Sequence, residues 1–114
     1  MEQLNFIIKN RKYVTETVTI GRLIDLWKFR SMLSGGTYGQ MYRMGLTTSD
    51  DALTAIDIES FFMSFCPDFI KDLKPGSIRE LGIEDYKELR DMYINHIATW
   101  MLQIEESMKE KAGE

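Results

Sequence analysis

Cysteine and histidine are all but missing from this chain: its 114 residues contain one of each, Cys66 and His96. A lone cysteine closes no intramolecular disulfide, and a zinc site of the usual kind needs about four Cys or His ligands. Histidine is also the commonest general base. His96 lies inside a long helical pattern between Asn95 and Ile97, where it reads as a partly exposed helix residue. Cys66 follows an aromatic-rich run and precedes Pro67, the setting of a buried small side chain rather than a nucleophile. A Cys66–His96 pair is the one nucleophile-and-base combination of this kind available, and nothing in the pattern brings the two together. No catalytic residue, metal site or cofactor is therefore expected.

Long apolar runs are absent too. None approaches the roughly 20 residues that span a bilayer, so no membrane segment is expected. The N-terminus lacks the basic-then-apolar layout of a signal peptide, which together with the single cysteine makes the cytoplasm the expected setting. A net charge of −4 argues against nucleic acid, whose phosphates must be neutralised by the protein. The glycines at 35, 36, 39 and 45 do not form a phosphate loop, because no Gly-Lys-Ser/Thr opens a helix and a helix, not a strand, precedes them. Asp50, Asp51, Asp57 and Glu59 lack the turn glycine and spacing of a calcium loop. Glu84, Asp85, Glu88 and Asp91 read as a solvated helix face.

What is present is the composition of an ordinary folding domain, 44% hydrophobic and 28% charged. The charge is divided along the chain. Residues 1–47 hold seven Lys or Arg against three Asp or Glu, giving +4, and residues 48–114 hold seven against fifteen, giving −8. Either the basic half meets an acidic partner or another copy, or the folded halves lie against each other.

Periodicity supplies the elements. Leu4, Phe6 and Ile8 alternate, Lys9-Asn10-Arg11-Lys12 interrupts, and Tyr13 to Val18 resumes with β-branched residues, predicting a β-hairpin over about 3–18 with Asn10 in the turn. Thr19 caps a helix over about 20–33. One stripe on it is Ile20, Leu23, Ile24, Trp27 and Ser31; a second, Leu26, Phe29 and Leu33, is either core or interface. Ser34-Gly35-Gly36 ends that helix, a short amphipathic turn is expected over Tyr38–Met44, and Gly45 stops it. A helix over about 50–65 carries Leu53, Ile56, Phe61, Phe62 and Phe65, and Pro67 breaks it before another over about 67–73. Lys74-Pro75-Gly76 is a turn, and Ser77 to Glu80 is a capping box cut short by Gly82. From Ile83, the residues Tyr86, Leu89, Tyr93, Ile97, Trp100, Ile104 and Met108 make one apolar stripe, predicting a helix over about 83–111. A helix this long outreaches a small core, so its last turns, with the spaced pair Glu105 and Lys109, are expected to project or meet a partner. The fold class is mainly α: an N-terminal β-hairpin followed by a small helical bundle with a long C-terminal helix, all in one domain over residues 1–114.

Eight Met, two Trp, five Tyr and six Phe crowd this chain. They either fill an irregular core or line a groove for partner segments. The candidate partner-binding residues are Tyr38, Met41, Tyr42 and Met44 in the Gly-punctuated segment, Leu26, Phe29 and Leu33 on the first helix, and Trp100, Ile104 and Met108 toward the free end of the last.

The opening Leu4-Asn5-Phe6-Ile7-Ile8-Lys9-Asn10-Arg11-Lys12-Tyr13-Val14, followed by Val18-Thr19-Ile20-Gly21-Arg22-Leu23-Ile24-Asp25-Leu26 and then helices, resembles the small tail assembly chaperones of long-tailed bacteriophages. The likeness covers the first third by pattern and the remainder by helix count. It implies a protein of the host cytoplasm that binds the tape measure protein, keeps its apolar helices from aggregating and helps recruit tail tube subunits, often as a homo-oligomer. A structural virion component, such as a head-to-tail connector subunit, and a small helical regulator are the alternatives.

Overall fold

A computed structural model describes residues 2–44, 47–73 and 76–113; the side chains of Met44, of residues 47–50 and of residues 109–113 lie outside the description. The N-terminal hairpin pairs β1 (Asn5–Ile8) with β2 (Arg11–Val14) antiparallel, Ile8 opposite Arg11. The two-residue turn puts Lys9 at φ 49° and Asn10 at φ 65°, the left-handed pair whose twist suits a tight hairpin. Asn10 tolerates this conformation through its short polar side chain. Both strands are shorter than expected, and the segment after them is anchored instead of paired. Thr15, fully buried, donates its N–H to the Leu4 carbonyl and accepts the Leu4 N–H on its hydroxyl, while Glu16 N–H reaches the Phe65 carbonyl at 2.7 Å.

Helix α1 (Ile20–Leu33) starts on Thr19, whose hydroxyl accepts the Arg22 N–H. It ends in a left-handed glycine cap: Gly35 N–H bonds to Met32 and Gly36 N–H to Ser31, with Gly35 at φ 62°. Helices α2 (Tyr38–Met44), α3 (Thr47–Phe65) and α4 (Pro67–Asp72) follow, close to the expected bounds. Among the described residues one short 3-10 turn (Ile78–Glu80) separates them from the C-terminal helix; its Ser77 hydroxyl accepts the Arg79 N–H instead of closing a capping box on Glu80, and Leu81 ends it, with Gly82 heading the next helix. The Gly45 stop and the Lys74-Pro75 half of the predicted turn lie outside the described residues.

The centre of the molecule is α3. It buries Leu53, Ile56, Ile58, Phe61, Phe62 and Phe65, residues on more than one side, as a helix covered by neighbours must. Phe61 is the hub: its ring lies 5.0 Å from Phe62, 6.2 Å from Phe6 of the hairpin, 6.0 Å from Tyr93 and 6.1 Å from Trp100. Burying each of these Phe side chains is worth about 2–3 kcal/mol. Hairpin, α1, α4 and the C-terminal helix thus share one apolar centre.

The C-terminal helix is continuous but not uniform. Helix α5 (Ile83–Met92) passes through a π-helical turn (Tyr93–Ile97) into α6 (Ala98–Gly113), and the Ala98 N–H reaches back five residues to Tyr93. The wider turn accommodates one extra residue, so Tyr93 and Ile97 both point inward while Ile94, Asn95 and His96 face solvent. Of the predicted stripe, Leu89, Tyr93, Ile97, Trp100 and Ile104 are buried and Tyr86 is half-buried; burial stops there, and Met108 is exposed. The Lys109 side chain of the expected Glu105 pair lies outside the described residues. Among the described residues, no helix is long and apolar enough to cross a membrane.

Helix α1 splits its first apolar stripe. Leu23 of that stripe and Leu26 of the second are buried, whereas Ile20, Ile24 and Trp27 are 58%, 44% and 41% exposed. This orientation brings Arg30 inward, where it meets charges from other helices.

Candidate protein-interaction surface

Arg30 joins four helices. Its Nη1 lies 2.8 Å from Glu105 Oε1 on α6, its Nε lies 3.1 Å from Asp57 Oδ1 on α3, and its guanidinium stands 5.1 Å from the Tyr38 ring centre on α2. The Nε–H is not aligned on Asp57, so that contact is ionic rather than a formed hydrogen bond. Asp57 is completed by the Tyr38 hydroxyl, which donates to Oδ1 at 2.7 Å. Burial opposes the Arg30 charge, but Asp57, Tyr38 and Glu105 together outweigh it and raise its pKa. Burial likewise raises the Asp57 carboxyl, even against Arg30 and the Tyr38 hydrogen bond, and pushes the Tyr38 hydroxyl well up. Arg30, Asp57, Glu105 and Tyr38 are each held by another member of the cluster, which works as a clamp across the four helices.

The clamp is one of several contacts between the oppositely charged halves. Lys9 pairs with Asp85 and Arg11 with Asp72, both at 3.1 Å, and the Tyr13 hydroxyl also donates to Asp72. The charge division read from the sequence is thus met at least in part within the chain. The exposed pairs add little stability, about 0–1 kcal/mol each.

These contacts sort the candidate residues. Leu26, Trp100 and Ile104 belong to the chain's own core, where Trp100 also donates its indole N–H to the Glu2 carbonyl at 3.1 Å; the expected partner contacts are replaced by intramolecular packing. Phe29 and Leu33 are half-buried, and Leu33 walls a hollow of about 420 Å³ with Ala52, Ala55, Ile56 and Tyr86. Tyr38 and Met41 are half-buried, Tyr42 is 72% exposed and Met108 is 39% exposed. The Met44 side chain lies outside the described residues.

The surface that sequence reasoning missed is the outer stripe of α1. Ile20, Ile24 and Trp27 stand at i, i+4 and i+7, a row about 10 Å long. At its Trp27 end the row opens into a hollow of about 310 Å³ lined by Trp27, Arg30, Ser31, Gly36, Tyr38 and Gly39. A side chain at Gly36 would meet nothing within 4 Å, so the hollow has room there. The only signal in the sequence was Arg30, one turn beyond Leu26, but its inward position depends on Asp57 and Glu105, which are distant along the chain.

Other reactive groups lie apart. Cys66 is 2% exposed and burial pushes its thiol up to about 11, leaving it protonated near neutral pH. It borders a hollow with Asp68 and Lys71, whereas His96 borders another with Asn5 and Ile7. Among the described residues no group of three or more His, Cys, Asp or Glu could hold a metal ion. Comparison with family models, with curated proteins and with solved structures found no match to this chain.

Proposed function

We propose that this chain is a non-enzymatic assembly factor, a tail assembly chaperone of a long-tailed bacteriophage, that holds apolar helices of the tape measure protein until they assemble. The observation that carries this reading is the exposed row Ile20, Ile24 and Trp27 running into the hollow beside Tyr38. An apolar row at helical spacing is complementary to one face of an amphipathic helix, and a Trp beside a pocket is a common energetic anchor. The hairpin-then-helices layout that resembles those chaperones supports the same reading, as does the exposed Met108 near the end of α6.

Co-expression with the tape measure protein tests it. A soluble complex is expected, together with less aggregated tape measure protein. Trp27→Ala and Ile24→Asp, both at exposed positions, should each weaken the complex by about tenfold or more without unfolding the chain. Absence of any complex would remove this reading. Recovery of the chain in stoichiometric amounts from purified particles would replace it with that of a structural virion component.

A further inference from the structure

The outer edge of β1 is an open hydrogen-bonding edge. In an antiparallel pair, opposed residues alternate between exchanging hydrogen bonds and turning their backbone groups outward. The tight Lys9-Asn10 turn makes Ile8 and Arg11 a bonded pair, and the Thr15 N–H to Leu4 carbonyl bond at 2.9 Å marks the same phase four residues along. Asn5 and Ile7, opposite Val14 and Lys12, therefore direct both N–H and both C=O groups away from β2. No described residue bonds to them.

That edge borders a hollow of about 530 Å³ lined by Asn5, Phe6, Ile7, Lys12, Tyr13 and His96. Lys9 with Asp85, and the Glu2 carbonyl with Trp100, tie the hairpin to the C-terminal helix on either side of it, and the π turn presents His96 to the space between. The charged side chains of the hairpin itself are all basic. Residues 3–15 contain Lys9, Arg11 and Lys12 and no acid. Lys9 and Arg11 are neutralised by Asp85 and Asp72, while Lys12 has no ion-pair partner among the described residues. The Asn5–Ile8 strand of a second copy carries no carboxylate to set against Lys12.

We propose that the β1 edge binds an extended acidic segment of another protein as a third strand. The segment bonds to the backbone of Asn5 and Ile7, packs apolar side chains beside the 58%-exposed Ile7, and sets carboxylates toward Lys12 and His96. This site is separate from the α1 row, and its test needs no helical partner.

The probe is a capped octapeptide of alternating Val and Glu, titrated into the isotope-labelled chain. In the free protein the Asn5 and Ile7 amides should exchange quickly while Phe6 and Ile8 are protected; saturating peptide should slow Asn5 and Ile7 about tenfold or more. Asn5→Pro removes an outward donor and no bond to β2, so it should weaken binding at least about tenfold with the melting temperature unchanged. The Val-Lys counterpart should bind at least as much more weakly. Should Asn5→Pro unfold the hairpin, the Val-Glu peptide N-methylated at alternate residues replaces it, with the same loss expected. The proposal is overturned if millimolar peptide leaves both amides unprotected, if the N-methylated or lysine peptide binds equally well, or if both amides become protected with rising protein concentration alone, which would make a second copy the occupant.

Discussion

Arg30 and Glu105, 75 residues apart in sequence, meet at 2.8 Å and close α1 onto the last helix. Their side chains are 14% and 31% exposed, so the pair sits between a surface ion pair and a fully buried one. Removing the cation leaves Asp57 and Glu105 without it. Arg30→Ala should therefore cost roughly 2–3 kcal/mol, less than the roughly 3–5 kcal/mol of breaking a fully buried pair. Arg30→Lys should recover less than half, because a single ammonium cannot address two carboxylates in different directions. Urea denaturation of the three proteins measures this, and a loss below about 1 kcal/mol for the alanine variant would show the clamp to be incidental.

Alkaline pH should loosen the fold. Burial raises the pKa of Cys66 to about 11 and raises Tyr38 and Tyr93 above the ordinary 10, so the folded chain keeps protons that the unfolded chain releases. Stability from these groups is fully present below the unfolded value of 9.0 for Cys66 and is lost as pH climbs through the folded values. The Cys66 shift alone is worth about 2–3 kcal/mol. The urea midpoint should fall between pH 8.5 and 11, and absorbance should show Tyr38 and Tyr93 ionising with unfolding. A flat midpoint across that range would contradict the prediction.

Two glycines at the ends of α1, Gly21 in its first turn and Gly35 just past its last, should respond oppositely to alanine. At Gly35 the backbone is left-handed, and Gly35→Ala should destabilise by about 1 kcal/mol although open space surrounds the site. Gly21 lies in the first turn, where a Cβ would meet only the Thr19 Oγ1 at 3.8 Å, and Gly21→Ala should stabilise by about 0.5–1 kcal/mol. Thermal melts of both variants decide it; shifts of the same sign would refute the account.

Ser60 is fully buried on α3, and its hydroxyl has no hydrogen-bond partner among the described residues. Removing an unsatisfied buried hydroxyl relieves its desolvation cost. Ser60→Ala should leave stability unchanged or raise it by up to about 1 kcal/mol. A loss of more than about 1 kcal/mol would mean that the hydroxyl is engaged after all.

What the sequence by itself determined is everything whose cause lies within a few residues. Asn10 with its neighbours set the hairpin turn, Thr19 and Gly35 bounded α1, Pro67 ended α3, and the three-and-four spacing from Tyr86 to Ile104 laid out the buried side of the last helix. Tertiary structure alone decided three other things. Both stripes of α1 were apolar enough to face inward, and local spacing could not rank them; packing Leu23 and Leu26 against α3 carried Arg30 to Asp57 and Glu105, and left Ile20, Ile24 and Trp27 on the surface. The π turn was invisible because an inserted residue changes the phase of a helix without changing the composition of its stripe. The charge division of the two halves was legible, but its pairing was not, because ion pairs such as Lys9 with Asp85 join residues whose separation in sequence says nothing about their distance in space.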